Sequence, residues 1–118
     1  MMENLRAVAT FPHISPEDLA EFKATARELL IEVGKQNSIL RYALFFPADA
    51  KSCIVLEEYA SAQAVIDHVT TNAEVLRKLM ALGGKIEGKM CPLSQASQGI
   101  SHIRENWDST MHFHFAGK

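Results

Sequence analysis

Apolar positions along the chain alternate between two periods. Leu5 to Phe11 (LRAVATF) reads as a first strand, with Pro12 confined to its end because it donates no ladder hydrogen bond. Leu19, Phe22, Ala26, Leu29, Leu30 and Val33 then recur at helical spacing. Ser15 is placed to cap this helix, Pro16 to open it, Asp18 to complete a capping box and Gly34 to end it. Ser38 to Phe46 (SILRYALFF) is a second strand. Strict alternation puts Leu40, Tyr42, Leu44 and Phe46 on one face and Ile39, Ala43 and Phe45 on the other. Both faces are apolar apart from Arg41, so a sheet covered on two sides is expected, by the chain's own helices and by a second subunit.

Pro47 to Lys51 reads as a turn, and Ser52 to Tyr59 returns as an antiparallel third strand. Ser61 is a good N-cap for a short helix whose apolar face is Ala62, Val65, Ile66 and Val69, with His68 one step off that face. Thr71 and Glu74 are spaced as a capping box for a further helix faced by Val75, Leu76, Leu79 and Met80 and stopped at Gly83–Gly84. Lys85 to Leu93 is expected as a fourth strand, with Ile86, Gly88 and Met90 on one face. Residues 1–93 form the main domain. Residues 94–118 are an extension, with a short helix expected around Ser101–Trp107 and an edge strand at Met111–Phe115, exchanged with or laid against a second subunit. The order β-α-β-β-α-β predicts an α+β, ferredoxin-like sandwich.

Composition adds limits. A chain of 118 residues with a net charge of −2 is one domain, with no electrostatic reason to bind nucleic acid or an anionic membrane. No apolar run approaches the ~20 residues of a membrane span, and the N-terminus lacks a signal-peptide pattern. Cys53 and Cys91 do not make a disulfide framework and read as packed strand residues, so a cytoplasmic protein is expected.

Glu57, Tyr59, Ser61, Ala64 and His68 fit E-x-[W/Y]-x-S-x-x-A-x-x-x-H. This pattern, set among elements in the same order, resembles the antibiotic biosynthesis monooxygenase family over Leu5 to Leu93. The resemblance implies a dimeric α+β barrel, and a monooxygenase that uses neither metal nor flavin on a small aromatic or quinol-like compound. In such chemistry the deprotonated substrate passes an electron to O₂, and the site must supply a base, oxyanion donors and a dry cavity. His68 is the candidate base and Tyr59, where relatives often carry tryptophan, the candidate donor. Tyr42 and Arg41 are candidate substrate contacts at the cavity rim or the dimer face. Each has a plainer reading: His68 bonded to a nearby carbonyl, Tyr59 as a core aromatic, Arg41 as a solvated strand residue. Glu57 reads as structural, needing solvent, a partner or a base.

His112 and His114 form H-x-H, with His102 upstream, but without a further ligand this spacing specifies no metal site. There is no phosphate-binding glycine loop and no nucleophile elbow. The haem-degrading branch of the superfamily is not matched, since the helical stretch Val75–Leu82 holds no histidine. The expected protein is therefore a homodimer acting on a small molecule without a cofactor. The alternatives are an isomerase-type enzyme on a small polar metabolite, or a non-enzymatic ligand-binding or dimerisation module.

Overall fold

The computed structural model describes residues 4–92 and 109–118. Strands β1 (Leu5–Phe11), β2 (Ile39–Phe45), β3 (Cys53–Tyr59), β4 (Glu87–Cys91) and β5 (Ser109–Met111) form one sheet in the order β2-β3-β1-β4-β5. The first four pair antiparallel, and β5 adds to the edge of β4 in parallel. Helices α1 (Leu19–Val33), α2 (Ala62–Thr71) and α3 (Ala73–Gly83) complete the chain. This is the ferredoxin-like α+β fold with one extra strand. No helix among the described residues is long and apolar enough to cross a membrane.

The core follows from strand alternation. Leu5, Ala7 and Phe11 of β1, and Cys53, Val55 and Tyr59 of β3, point to the helix-covered face, where Phe22, Ala26, Leu29, Val65, Leu76 and Leu79 meet them. Phe11 and Phe22 pack edge to face with ring centroids 5.2 Å apart. The opposite face carries Ile54, Leu56 and Phe45, all exposed.

The alternation expected of β2 holds from Arg41 to Phe45 but breaks at the start of the strand. The ladder pairs Ile39 with Tyr59 but Arg41 with Glu58, so Leu40 is an extra residue, a β-bulge. Ile39 consequently packs into the core and Leu40 is exposed, while Tyr42 shares the helix-covered face with Leu44, opposite Glu57.

Several helix boundaries also differ from expectation. Pro16–Asp18 forms a 3₁₀ turn ahead of α1, and Ser15 makes no side-chain cap; its carbonyl instead accepts the Asp18 N–H at 2.9 Å. Gly34 closes α1 at φ −62°, a right-handed conformation, because the chain continues into tight turns through Lys35 and Gln36. Ser61 caps α2 as expected, accepting the Ala64 N–H at 3.2 Å. The α3 cap is Asn72 rather than Thr71, and it makes no side-chain cap because that side chain is engaged elsewhere.

In the extension, the strand begins at Ser109 and ends at Met111, two residues earlier than its expected start and well short of Phe115, which is 99% exposed. It lies on this chain's own β4, where Gly88 has no side chain to hold Ser109 off. The helix expected at Ser101–Trp107 and His102 lie outside the described residues. Of the two thiols, Cys53 is packed as expected, whereas Cys91 is exposed because it faces away from the helices at the end of β4.

Two glycines give opposite expectations. A Cβ at Gly83 would sit 2.8 Å from a Phe22 ring carbon and 3.0 Å from the Phe11 Cβ, so Gly83→Ala must strain the Phe11–Phe22 pair. Overpacking of this kind lowers stability by about 1–3 kcal/mol. At Gly34 a Cβ meets only helix carbonyls at 3.4 and 3.5 Å, so Gly34→Ala is expected to be neutral or to stabilise by up to about 1 kcal/mol. Urea unfolding of the two variants checks both signs.

Candidate functional site

The site lies where the core turns polar. On β3 the inward positions run Cys53, Val55, Glu57 and Tyr59, so two apolar residues are followed by a carboxyl and a phenol on the same face. The Tyr59 hydroxyl donates to Glu57 Oε1. The β2–β3 register sets Tyr42 directly across from Glu57. From above, α2 lowers His68 onto these residues. Its ring centroid is 5.0 Å from that of Tyr42 and 5.8 Å from that of Tyr59. Tyr59 is 0% exposed and His68 3%. His68 is thus fully inside the helix–sheet interface rather than at its edge, with Val65 and Ala64 of the same helix buried beside it.

These four side chains line a cavity of about 100 Å³ with mainly apolar walls. Ala7, Ala9 and Phe11 supply its β1 side, Gly88 and Met90 its β4 side, and Val69 and Leu76 its helical side. Ser109 of the extra strand also lines it.

Burial governs the electrostatics. It raises the Glu57 carboxyl to about 7, against a partial lowering by the Tyr59 hydrogen bond. It lowers the His68 imidazole to about 4, so the ring is neutral at physiological pH. Tyr59 and Tyr42 are held well above the ordinary phenol value, first by burial and then by the nearby Glu57 carboxylate. Burial also pushes the Cys53 thiol up to about 11, which leaves it unreactive.

Of the residues singled out in the sequence, His68, Tyr59 and Tyr42 come together here. Arg41 does not. Next to Tyr42 on the strand, it points to the opposite face of the sheet, where its side chain is 71% exposed and its Nε lies 3.8 Å from Glu58. Glu57, read from sequence as structural, is inside the cavity; its i, i+2 spacing from Tyr59 on one strand was the available signal. Asn72, four residues after His68, was not singled out; its amide Nδ2 lies 3.0 Å from His68 Nδ1. His112 is bonded to Thr110 at 2.9 Å and His114 to the Gly117 carbonyl at 3.0 Å. Among the described residues no group of three or more His, Cys, Asp or Glu is arranged to hold a metal ion.

The opposed shifts of Glu57 and His68 give a signed prediction for stability. Glu57 is harder to ionise when folded, so its contribution is present below about pH 4.5 and lost as pH rises through about 7. His68 is harder to protonate when folded, so its contribution is present above about pH 6.5 and lost as pH falls through about 4. In wild type the two offset each other over much of this range. Relative to wild type, Glu57→Gln is expected to gain stability steadily from pH 4.5 to about 7. His68→Gln is expected to lose its relative advantage as pH rises from about 4 to 6.5. Urea titrations at half-unit pH steps measure both slopes, and reversal of either would show that the group is not buried in this way.

No protein-family model and no curated protein matches the chain. Solved structures do. MupZ from Pseudomonas fluorescens has a TM-score of 0.81 at 15% identity, covering 100% of this chain and 94% of that one. A putative antibiotic biosynthesis monooxygenase from Caulobacter crescentus has a TM-score of 0.63 at 24% identity, covering 75% and 88%. A mutant form of SnoaB from Streptomyces nogalater, a cofactor-independent oxygenase, has a TM-score of 0.64 at 17% identity, covering 74% and 89%. The chain has the fold of the antibiotic biosynthesis monooxygenases.

Proposed function

We propose that the chain is a cofactor-independent monooxygenase for a small phenolic or quinol-like compound, working as a homodimer. The observation that carries this reading is the convergence of Glu57, Tyr59, Tyr42 and His68 on one mainly apolar cavity. Its likeness in fold to a cofactor-independent oxygenase supports the same reading.

Oxygenation without a cofactor starts with loss of a substrate proton, because the anion is the species electron-rich enough to pass an electron to O₂. Either Glu57 or His68 is the base. Phenolic and imidazole N–H or O–H groups then hold the anion's oxygen, and the apolar walls exclude water. The substrate radical and superoxide combine to form a C–O bond, and loss of water leaves a carbonyl. For a methylene carbon the balance is R₂CH₂ + O₂ → R₂C=O + H₂O, with four electrons leaving carbon and four entering oxygen. The cavity, about 100 Å³, is smaller than the ~150 Å³ that accommodates benzene, so it suits the reacting end of a ring system rather than a whole polycycle.

The same groups could return the proton to another carbon without oxygen, which is the isomerase alternative. Lys89 is the one cationic residue among the described residues lining the cavity, so the walls favour an apolar aromatic over a polar anionic metabolite. The dimer is inferred from the uncovered sheet face, where Phe45, Ile54 and Leu56 stand exposed together.

Oxygen uptake with a panel of hydroquinones and anthrone-like phenols, without added metal or flavin, tests the activity. Wild type is expected to consume oxygen and His68→Ala to lose about 10²-fold or more in kcat. Equal rates would remove His68 from the reaction. Solvent deuterium entering an enolisable panel compound without oxygen uptake would replace the oxygenase with the isomerase. Light scattering on wild type and Leu56→Lys tests the assembly; a dimer that becomes a monomer is expected, and a wild-type monomer would overturn it.

A further inference from the structure

Asn72 stands at the junction of α2 and α3 and is 3% exposed. Its backbone serves both helices, the N–H donating to the His68 carbonyl at 3.0 Å and the carbonyl accepting from the Leu76 N–H at 2.9 Å. Its side chain turns back on His68. Nδ2 lies 3.0 Å from the His68 carbonyl oxygen, 3.0 Å from His68 Nδ1 and 3.3 Å from Gln36 Oε1.

This arrangement decides which ring nitrogen carries the proton. A backbone carbonyl oxygen only accepts, so the end of the Asn72 amide that faces it is the NH₂ group. An amide NH₂ only donates. The same NH₂ faces Nδ1, so Nδ1 presents its lone pair and the proton of the neutral ring sits on Nε2. Turning the amide over would set its oxygen against the His68 carbonyl oxygen at 3.0 Å. Protonating the ring would set an Nδ1–H against an NH₂, donor to donor, at a buried position with no solvent to relieve it.

We propose that Asn72 is a positioning residue that locks His68 as its Nε2–H tautomer, making His68 the hydrogen-bond donor of the cavity rather than its base. The role in turnover rests on the proton-abstraction reading of the same cavity. Glu57 is then the group that takes the proton. The substrate O–H or C–H bond breaks, the proton passes to a Glu57 carboxylate oxygen, and the electron pair stays on the substrate. The resulting oxyanion accepts the Nε2–H of His68. The groups that face the imidazole all fit this division. Tyr42 and Tyr59 meet it with their rings, and the Tyr59 hydroxyl is turned to Glu57.

Nitrogen-15 NMR of the ring-labelled full chain, with the His68 signals assigned through His68→Gln, tests the proposal without any substrate. Wild type is expected to show a protonated Nε2 and a bare Nδ1 from about pH 5.5 to 8. Asn72→Asp replaces the donor with a carboxylate that accepts from Nδ1, so the tautomer is expected to switch and the ring to protonate at higher pH. Asn72→Ala, which keeps the buried volume small and uncharged, is expected to give a mixture. A proton on Nδ1 in wild type, or the same tautomer in all three proteins, would overturn the proposal. With a panel compound that turns over, Asn72→Asp is expected to lower kcat about 10²-fold with little change in KM. Absence of turnover in wild type would count against the oxygenase reading alone, since the tautomer is read from the spectra.

Discussion

The site depends on a carboxyl placed on the covered face of a central strand. Alternation leaves Glu57 no other direction, because its neighbours Val55 and Tyr59 are both needed inside. A carboxylate there loses hydration, and a single phenolic hydrogen bond only partly compensates it. The chain resolves this by leaving space. Where the other inward positions are filled by core side chains, the region around Glu57 is a cavity walled by small residues such as Ala7, Ala9 and Gly88. An apolar hole, a carboxyl held near neutrality and two buried phenols are therefore one feature rather than three.

How much of this could be read from the chain divides along the kind of interaction involved. Elements set by periodicity were legible: β1, the body of α1, β3, and α2 with its Ser61 cap lie where the pattern puts them. The resemblance falls on Glu57–His68, a stretch in which strand, turn and helix are continuous in sequence. What escaped was set by tertiary choice. Nothing in SILRYALFF marks Leu40 as the extra residue, yet that bulge turns Ile39 to the core and leaves Leu40 exposed. Asn72 was hidden for a related reason. It scores locally as a turn or cap residue, but the imidazole one turn earlier takes its amide.

Strand register and burial act toward one end. The first brings a phenol rather than a guanidinium to face Glu57, and the second, with the Asn72 amide facing Nδ1, keeps the imidazole uncharged. Either cation inside the cavity would form an ion pair with the Glu57 carboxylate and pull its pKa down toward the ordinary range. With Arg41 on the outer face beside Glu58, and His68 held neutral, the carboxyl keeps the elevated value that burial gives it.

That separation is what proton transfer at neutral pH requires. A carboxylate stabilised by a buried ion pair is a weak base, because abstraction of a proton would break the pair and leave a lone cation behind. A carboxylate that is merely desolvated and held by one phenol gains on protonation, since the product is the form burial prefers. The neutral imidazole complements this. It can stabilise negative charge on a substrate oxygen through its N–H without itself being an acid that a neighbouring carboxylate would deprotonate. In the proposed reaction the pair works because its members do not carry opposite charges together, a condition that burial sets and that Asn72, which does not line the cavity, reinforces at Nδ1.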